Sequence, residues 1–216
     1  DLHSFPTRRS SDLEIIYLRA CRAVWNTCIR EGFLKDVPYP YSNKKEKGLV
    51  SIPPSAKRRK CYLRVCQMTE LYNLFISKQY PEHWGESYTA SVHFSLGLFL
   101  VQYLCNGFNM ADAARLKYDN YYFQNEGKAF RFNRKKTEKT SANGSEVIIP
   151  IITPLQRILD EIAAPPTRDG YVFPQIFNGA ETQEDRRKRT QQENKNVRER
   201  MDNVCHEVLQ WDESNL

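Results

Sequence analysis

Two short stretches hold side chains able to do chemistry together. The first is Asn109, Asp112 and Arg115, spaced three apart within GFNMADAAR. Residues three apart sit on neighbouring turns of one helical face. A carboxylate beside an amide and a guanidinium can orient donors toward an anion. The second is Arg134-Lys135-Lys136 in FRFNRKKT. Strand alternation puts Arg134 and Lys136 on one face and Lys135 on the other, and a turn or shifted register would exchange them. Cations so placed can neutralise a phosphate. A solvated basic hairpin is the alternative.

The elements around these residues must position them. Phe94, Leu96, Leu98, Phe99, Leu100, Val101 and Leu104 predict a helix with no polar face, buried in a core. The run is interrupted by Ser95, Gly97, Gln102 and Asn106, and is too short to span a bilayer. Asn106-Gly107 predicts its end. A short helix then turns Met110, Ala113, Ala114 and Leu116 inward. YYFQNEGKAFRFN reads as two strands about a turn at Asn125 to Lys128, with EVIIPI (Glu146 to Ile151) as a third. Thr153-Pro154 starts a helix with Leu155, Ile158, Leu159 and Ile162 on its apolar face, and Pro165-Pro166 stops it. Tyr171 to Pro174 is a buried extended piece. Val197, Met201, Val204, Cys205 and Val208 line a last amphipathic helix.

Upstream, Ile16, Ala20, Val24 and Cys28 form one stripe of a helix from about Leu13 to Gly32. Thr69 is placed as the cap of a helix bearing Leu71, Leu74 and Phe75, and PEHWGE is read as a linker. Between these helices, residues 44–60 have linker composition, polar and basic with Pro53-Pro54, and a domain boundary is placed there. His3 to Leu13 (HSFPTRRSSDL) has no periodicity. It resembles the translation of a short-read sequencing adapter, so residues 1–13 are set aside as such a scar or as a disordered arm. The expected class is mainly α with a small three-stranded antiparallel β-sheet (α+β).

Lys and Arg exceed Asp and Glu by 32 − 26 = +6, with a pI near 9.0. The excess is clustered. Eight basic residues lie between Tyr41 and Val65, including Lys44, Lys45, Lys57, Arg58, Arg59 and Lys60, against Glu46 alone. Six lie between Lys128 and Thr140, and seven between Arg186 and Arg200. Single clusters are ordinary solvated faces, but three on one chain favour a polyanion such as nucleic acid. The six cysteines make no CxxC, and no Cys/His group has zinc spacing. They read as reduced core thiols of a cytoplasmic protein, with no metal and no membrane segment.

The order of these segments resembles the tyrosine recombinase (phage integrase) family, most of all the branch carried by mobile elements. YLRACRAVWNTCIREGFLKDVPYPYS (in residues 14–43) is similar to the last helix of the helical core-binding domain and its exit. KRRKCYLRVCQMTELYNLF resembles the start of the catalytic domain, which would occupy residues 61–216. LVQYLCNGFNMADAARLKYDN resembles the segment holding the family's first arginine. FRFNRKKTEKTSANGSEVIIPI resembles the hairpin holding its lysine, and TPLQRILDEI and YVFP match the family's segments beyond that hairpin.

The resemblance implies site-specific DNA recombination or integration through a phosphotyrosyl intermediate, on double-stranded DNA, by a homotetramer without cofactor. In the family, two arginines and a lysine neutralise the developing charge, and a lysine can protonate the leaving oxygen. The lysine position falls on Lys136, with Lys135 as fallback. The first arginine normally follows Gly-Leu; here Gly107-Phe108 is followed by Asn109, a donor without charge. Arg115 is either its substitute or a structural ion-pair former. Asp112 either orients its neighbours or complements the helix dipole. Lys44, Lys45, Lys57, Arg58, Arg59, Lys60, Arg134 and Lys135 are the expected DNA contacts.

Two departures matter. No His-x-x-Arg pair occurs: His83, His93 and His206 are followed three residues later by Glu86, Leu96 and Leu209. No tyrosine follows Tyr171. The expectation is a recombinase fragment that binds DNA without cleaving it. A non-catalytic module that occupies recombination sites is the main alternative. A helical protein with an acidic partner is another.

Overall fold

The computed structural model describes residues 8–42, 50–52, 62–134 and 146–211. The chain divides into two compact units, residues 1–60 and 61–216.

In the first unit, α1 spans Arg8–Arg30, so its backbone starts five residues before the expected Leu13. It ends where Gly32 takes a left-handed φ of 77°, and the Phe33 N–H closes back on the Cys28 carbonyl at 2.9 Å. A two-residue parallel pair follows, β1 (Tyr41–Ser42) with β2 (Val50–Ser51). Trp25 stands edge-on to Tyr41, ring centres 6.3 Å apart. The stripe expected to face inward does not. Ile16 and Val24 are 59% and 64% exposed, while Ile15 is buried and Leu18 and Trp25 are half-buried. The helix carries apolar residues on two sides, and the side bearing Trp25 is the one that meets Tyr41.

The second unit is built around α3 (Gly85–Leu104). Its apolar residues face all ways because it is packed on several sides, against α2 (Val65–Ser77), α6 (Thr153–Ile162) and α7 (Gln183–Asn203). Leu96, Leu98 and Val101 are wholly buried. Gly97 lets α2 and α6 approach closely: a Cβ there would lie 2.7 Å from Ile162 Cδ1 and 3.0 Å from Phe75 Cε2. The helix starts nine residues before Phe94 because PEHWGE is no linker. Glu82–Trp84 is a 3-10 turn with Trp84 buried, and Gly85 turns the chain into α3. The Thr69 cap is likewise corrected, and so is Thr153 as cap of α6, which is capped at Ile152 without a side-chain bond. α2 begins at Val65, its first turn closed by the Gln67 side chain accepting the Arg64 N–H at 2.8 Å. Thr69 lies inside the helix and donates to the Val65 carbonyl.

α7 is tied to α3 by polar links. Arg200 Nη1 donates to the fully buried Ser95 hydroxyl at 2.9 Å, and Asn203 donates to Tyr88 Oη at 2.6 Å. The helix ends in a wider turn over Val204–Val208. It starts at Gln183, with Thr182 as cap, in a polar stretch that composition reads as loop and helix start. Val197, Met201, Val204 and Cys205 are buried as its apolar positions require.

Among the described residues, the sheet of this unit has two strands. β3 (Ala129–Asn133) pairs antiparallel with β4 (Glu146–Pro150), with Phe130 opposite Ile149 and Phe132 opposite Val147. The expected third strand is helical: α5 covers Asn120–Gln124. Asp119 caps it by accepting the Tyr122 N–H at 3.0 Å. One helical turn lets the Tyr122 ring stack on Phe130, centres 5.2 Å apart. Contiguous aromatics have no period of two, so nothing in YYFQ separates two faces of a strand. The chain is thus mainly helical with a small antiparallel sheet. Among the described residues, no helix is long and apolar enough to cross a membrane.

Candidate functional site

The candidate site begins where α3 stops. Asn106 and Gly107 both take left-handed φ, 57° and 74°. The Gly107 and Phe108 N–H groups fold back on the Gln102 carbonyl at 2.9 and 3.0 Å. This reversal starts the six-residue α4 (Met110–Arg115). Asn109 is its cap: Oδ1 accepts the Asp112 N–H at 2.8 Å. Asp112 replies by accepting the Asn109 N–H on Oδ2 at 3.4 Å, a reciprocal box. Met110, Ala113, Ala114 and Leu116 are buried.

Asp112 is the centre of the arrangement. Its side chain is 2% exposed, and a buried carboxylate requires partners on both oxygens. Arg115 Nη2 meets Oδ1 at 3.0 Å. Arg134 Nε meets Oδ2 at 3.7 Å, and its Nη2 donates to the Gly107 carbonyl at 2.6 Å. Two guanidiniums from separate segments therefore converge on one carboxylate. Each stays about a third exposed, 36% and 35%, with one face toward solvent.

Arg134 arrives there through the register of β3. Phe130 is buried, Phe132 is half-buried, and Arg134 follows on the same face. Phe132 lies 4.5 Å, centre to centre, from Phe108 in the α3–α4 turn. That contact brings the strand end to the start of α4. On the opposite face, Arg131 pairs with Glu146 at 3.4 Å and Asp119 at 3.8 Å and lies over Tyr121.

Of the site residues read from sequence, Asn109, Asp112, Arg115 and Arg134 are thus brought together. Lys135 and Lys136, and the linker cations Lys44, Lys45, Lys57, Arg58, Arg59 and Lys60, lie outside the described residues. Asn109 caps α4 with its side-chain carbonyl oxygen, which leaves its amide nitrogen, the donor, for a ligand. Asp112 holds both neighbouring arginines as well as closing the helix box. Sequence alone places Arg134 among general DNA contacts and misses its pairing with Asp112. The Phe130–Phe132–Arg134 alternation is the available signal.

A second polar cluster joins α2, α3 and α6. Tyr80 Oη lies 2.9 Å from His93 Nδ1, and His93 Nε2 lies 3.0 Å from Glu161. Lys78 Nζ meets the same carboxylate at 2.7 Å. The His93 ring stacks on Phe75, centres 4.2 Å apart. Desolvation holds the His93 imidazole below its ordinary pKa, against the pull of Glu161. Burial raises that of Glu161, but hydrogen bonds from Lys78 and His93 outweigh it and hold the carboxylate low. Burial pushes the Tyr80 phenol well above its usual value, with Glu161 adding to the rise. A phenol so hard to ionise is a poor nucleophile, and this cluster fastens helices together. Among the described residues, no group of three or more His, Cys, Asp or Glu side chains could hold a metal ion.

The chain matches no family model, and comparison with curated proteins and with solved structures finds no significant relative.

Proposed function

We propose that this chain binds double-stranded DNA and holds a phosphodiester in the manner of a tyrosine recombinase, in the integration or recombination of a mobile element. One observation carries the reading: Arg115 and Arg134 share the buried carboxylate of Asp112 while each stays about a third exposed. A carboxylate locked behind two guanidiniums fixes their geometry. Paired guanidiniums suit phosphate oxygens in both planarity and charge. Preorganised cations of this kind stabilise charge that develops during phosphoryl transfer. β3 also leads directly into Lys135 and Lys136, so further cations follow Arg134 in sequence.

In this reading Arg134 and Arg115 together supply the positive charge that Asn109 lacks. Lys136 is the proposed proton donor to the leaving oxygen. The chain has no His-x-x-Arg pair and no tyrosine beyond Tyr171. Its proposed role is accordingly binding and phosphate positioning.

The test is affinity for a duplex of mixed sequence across a salt series. Each phosphate contact contributes about 0.9 to the slope of log K against log salt. Arg115→Gln and Arg134→Gln should each flatten the slope by about that amount and weaken binding alike on unrelated duplexes. Wild-type protein that shows no salt-dependent duplex binding refutes the proposal.

A further inference from the structure

A second cationic arrangement lies just past α4. Residues 116–118 leave the helix extended, with Leu116 and Tyr118 buried at 1% and 3%. Alternation therefore turns Lys117 outward. The stretch is pinned by the Val172 N–H donating to the Leu116 carbonyl and the Tyr118 N–H donating to the Gly170 carbonyl, both at 2.9 Å. Lys117 pairs with Tyr171 across this short bridge. Its Nζ sits over the Tyr171 ring, 4.7 Å from the centre.

Arg186, from the first turns of α7, reaches the same ring. Its Cζ lies 5.5 Å from the Tyr171 centre and 5.3 Å from that of Phe177. Nη1 donates to Tyr171 Oη at 3.1 Å and Nε to the Ala180 carbonyl at 2.9 Å. Two hydrogen bonds and two rings thus fix this guanidinium, and no described group engages its Nη2.

Cations on an aromatic face are common; here two from separate segments meet one ring. Among the described residues, neither Lys117 nor Arg186 makes an ion pair. The acids in the first turn of α7 are engaged elsewhere, Asp185 with Thr182 at 2.6 Å and Glu184 with Lys188 at 3.0 Å. An anion beside the ring would give both cations a charge-assisted partner. Lys117 would offer its ammonium protons and Arg186 its Nη2.

We infer that Lys117, Tyr171 and Arg186 form an anion subsite that takes a second phosphate of the bound DNA strand, next to the one held by Arg115 and Arg134. Lys117 is two residues beyond Arg115, a chain span of at most about 7 Å, so neighbouring phosphates of one backbone suit the two positions. This inference rests on the DNA-binding reading above.

The test uses the full chain and two probes. Anisotropy with a mixed-sequence duplex is measured across a salt series for wild type, Lys117→Gln and Arg186→Gln, with near-ultraviolet circular dichroism as a check of folding. Lys117 is exposed, so its variant should fold even if the Arg186 variant does not. The expected result is a slope flatter by about 0.9 for Lys117→Gln and a severalfold weaker affinity at fixed salt. An unchanged slope and affinity in Lys117→Gln, with wild type still binding, overturns the subsite and leaves the broader reading standing. If wild type does not bind duplex, the DNA-binding reading fails, and inorganic tripolyphosphate decides the subsite. Amide shifts at residues 117, 171 and 186 that vanish in Lys117→Gln would keep it as a polyphosphate site; no shifts would remove it.

Discussion

Asp112→Asn separates what holds the candidate site together from what it offers to a ligand. The substitution keeps the shape and one carbonyl oxygen, so the Arg115 contact or the bond from the Asn109 N–H can persist. The carboxylate charge is lost, and an amide nitrogen facing Arg134 Nε would set donor against donor. A hydrogen bond to a charged group contributes roughly 1.5–3 kcal/mol. Breaking a fully buried ion pair costs roughly 3–5 kcal/mol. Here the guanidiniums are each about a third exposed, so water recovers part of the loss. The expected destabilisation is about 1–2 kcal/mol. With a urea slope of roughly 1–3 kcal/mol per molar, the unfolding midpoint should fall by about 0.3–2 M. The charge balance moves the other way. Removing the Asp112 carboxylate makes the cluster more positive by one charge. Duplex affinity at low salt should therefore hold or rise, without a flatter salt slope, whereas Arg115→Gln or Arg134→Gln flattens it. Equilibrium urea unfolding and a duplex salt series on the same preparations check both halves. An unchanged urea midpoint would refute the claim that Asp112 fastens the two arginines.

Other outcomes test the packing and the protonation states. Gly97→Val forces a side chain into the contact of α3 with Ile162 and Phe75, and a thermal melt should show about 1–3 kcal/mol lost to overpacking. Acidification should weaken the fold. His93 is held below its ordinary pKa of about 6.5, so the unfolded chain takes up that proton first. Stability is then lost as pH falls from about 6.5 toward the lowered folded value. Glu161, also held low, loses its contribution at more acid pH as pH falls through its own folded value. Urea midpoints between about pH 7.5 and pH 5.5 should drop in wild type and stay flatter in His93→Phe; equal drops would count against this account. Thiol labelling should follow burial. Cys21 and Cys66 are exposed, whereas burial pushes Cys105 up to about 12 and Cys205, with help from Asp202, up to about 11. A neutral-pH reagent read by peptide mass should mark the first two in the native protein and the last two only after unfolding.

Much of the helical framework was legible because its signals are local. Leu155, Ile158, Leu159 and Ile162 bury one face of α6 at the spacing a helix imposes. Asn106-Gly107 ends α3 because the residues themselves tolerate left-handed φ. Val172 and Phe173 are wholly buried, as an apolar extended run predicts. Where the local signal was ambiguous, the sequence misled. Tyr121 to Phe123 looked like strand until Phe130 offered Tyr122 a stacking partner and Asp119 a cap. α1 has two apolar sides, and nothing within the helix states which one a neighbour will cover.

Residue types and spacing alone determined that Asn109, Asp112 and Arg115 share one short helix and that Arg134 shares a strand face with Phe130 and Phe132. Only the tertiary structure decided that these two groups meet. The Phe108–Phe132 contact joins segments distant in sequence, and burial of Asp112 then demands a partner for each oxygen. The pairing of Lys117 and Arg186 over Tyr171 was decided in the same way, by the docking of the α7 start beside an extended strand. Periodicity reports which side of an element is apolar. It carries no information about which other element will cover that side, because the choice depends on shape and charge brought together across the whole core.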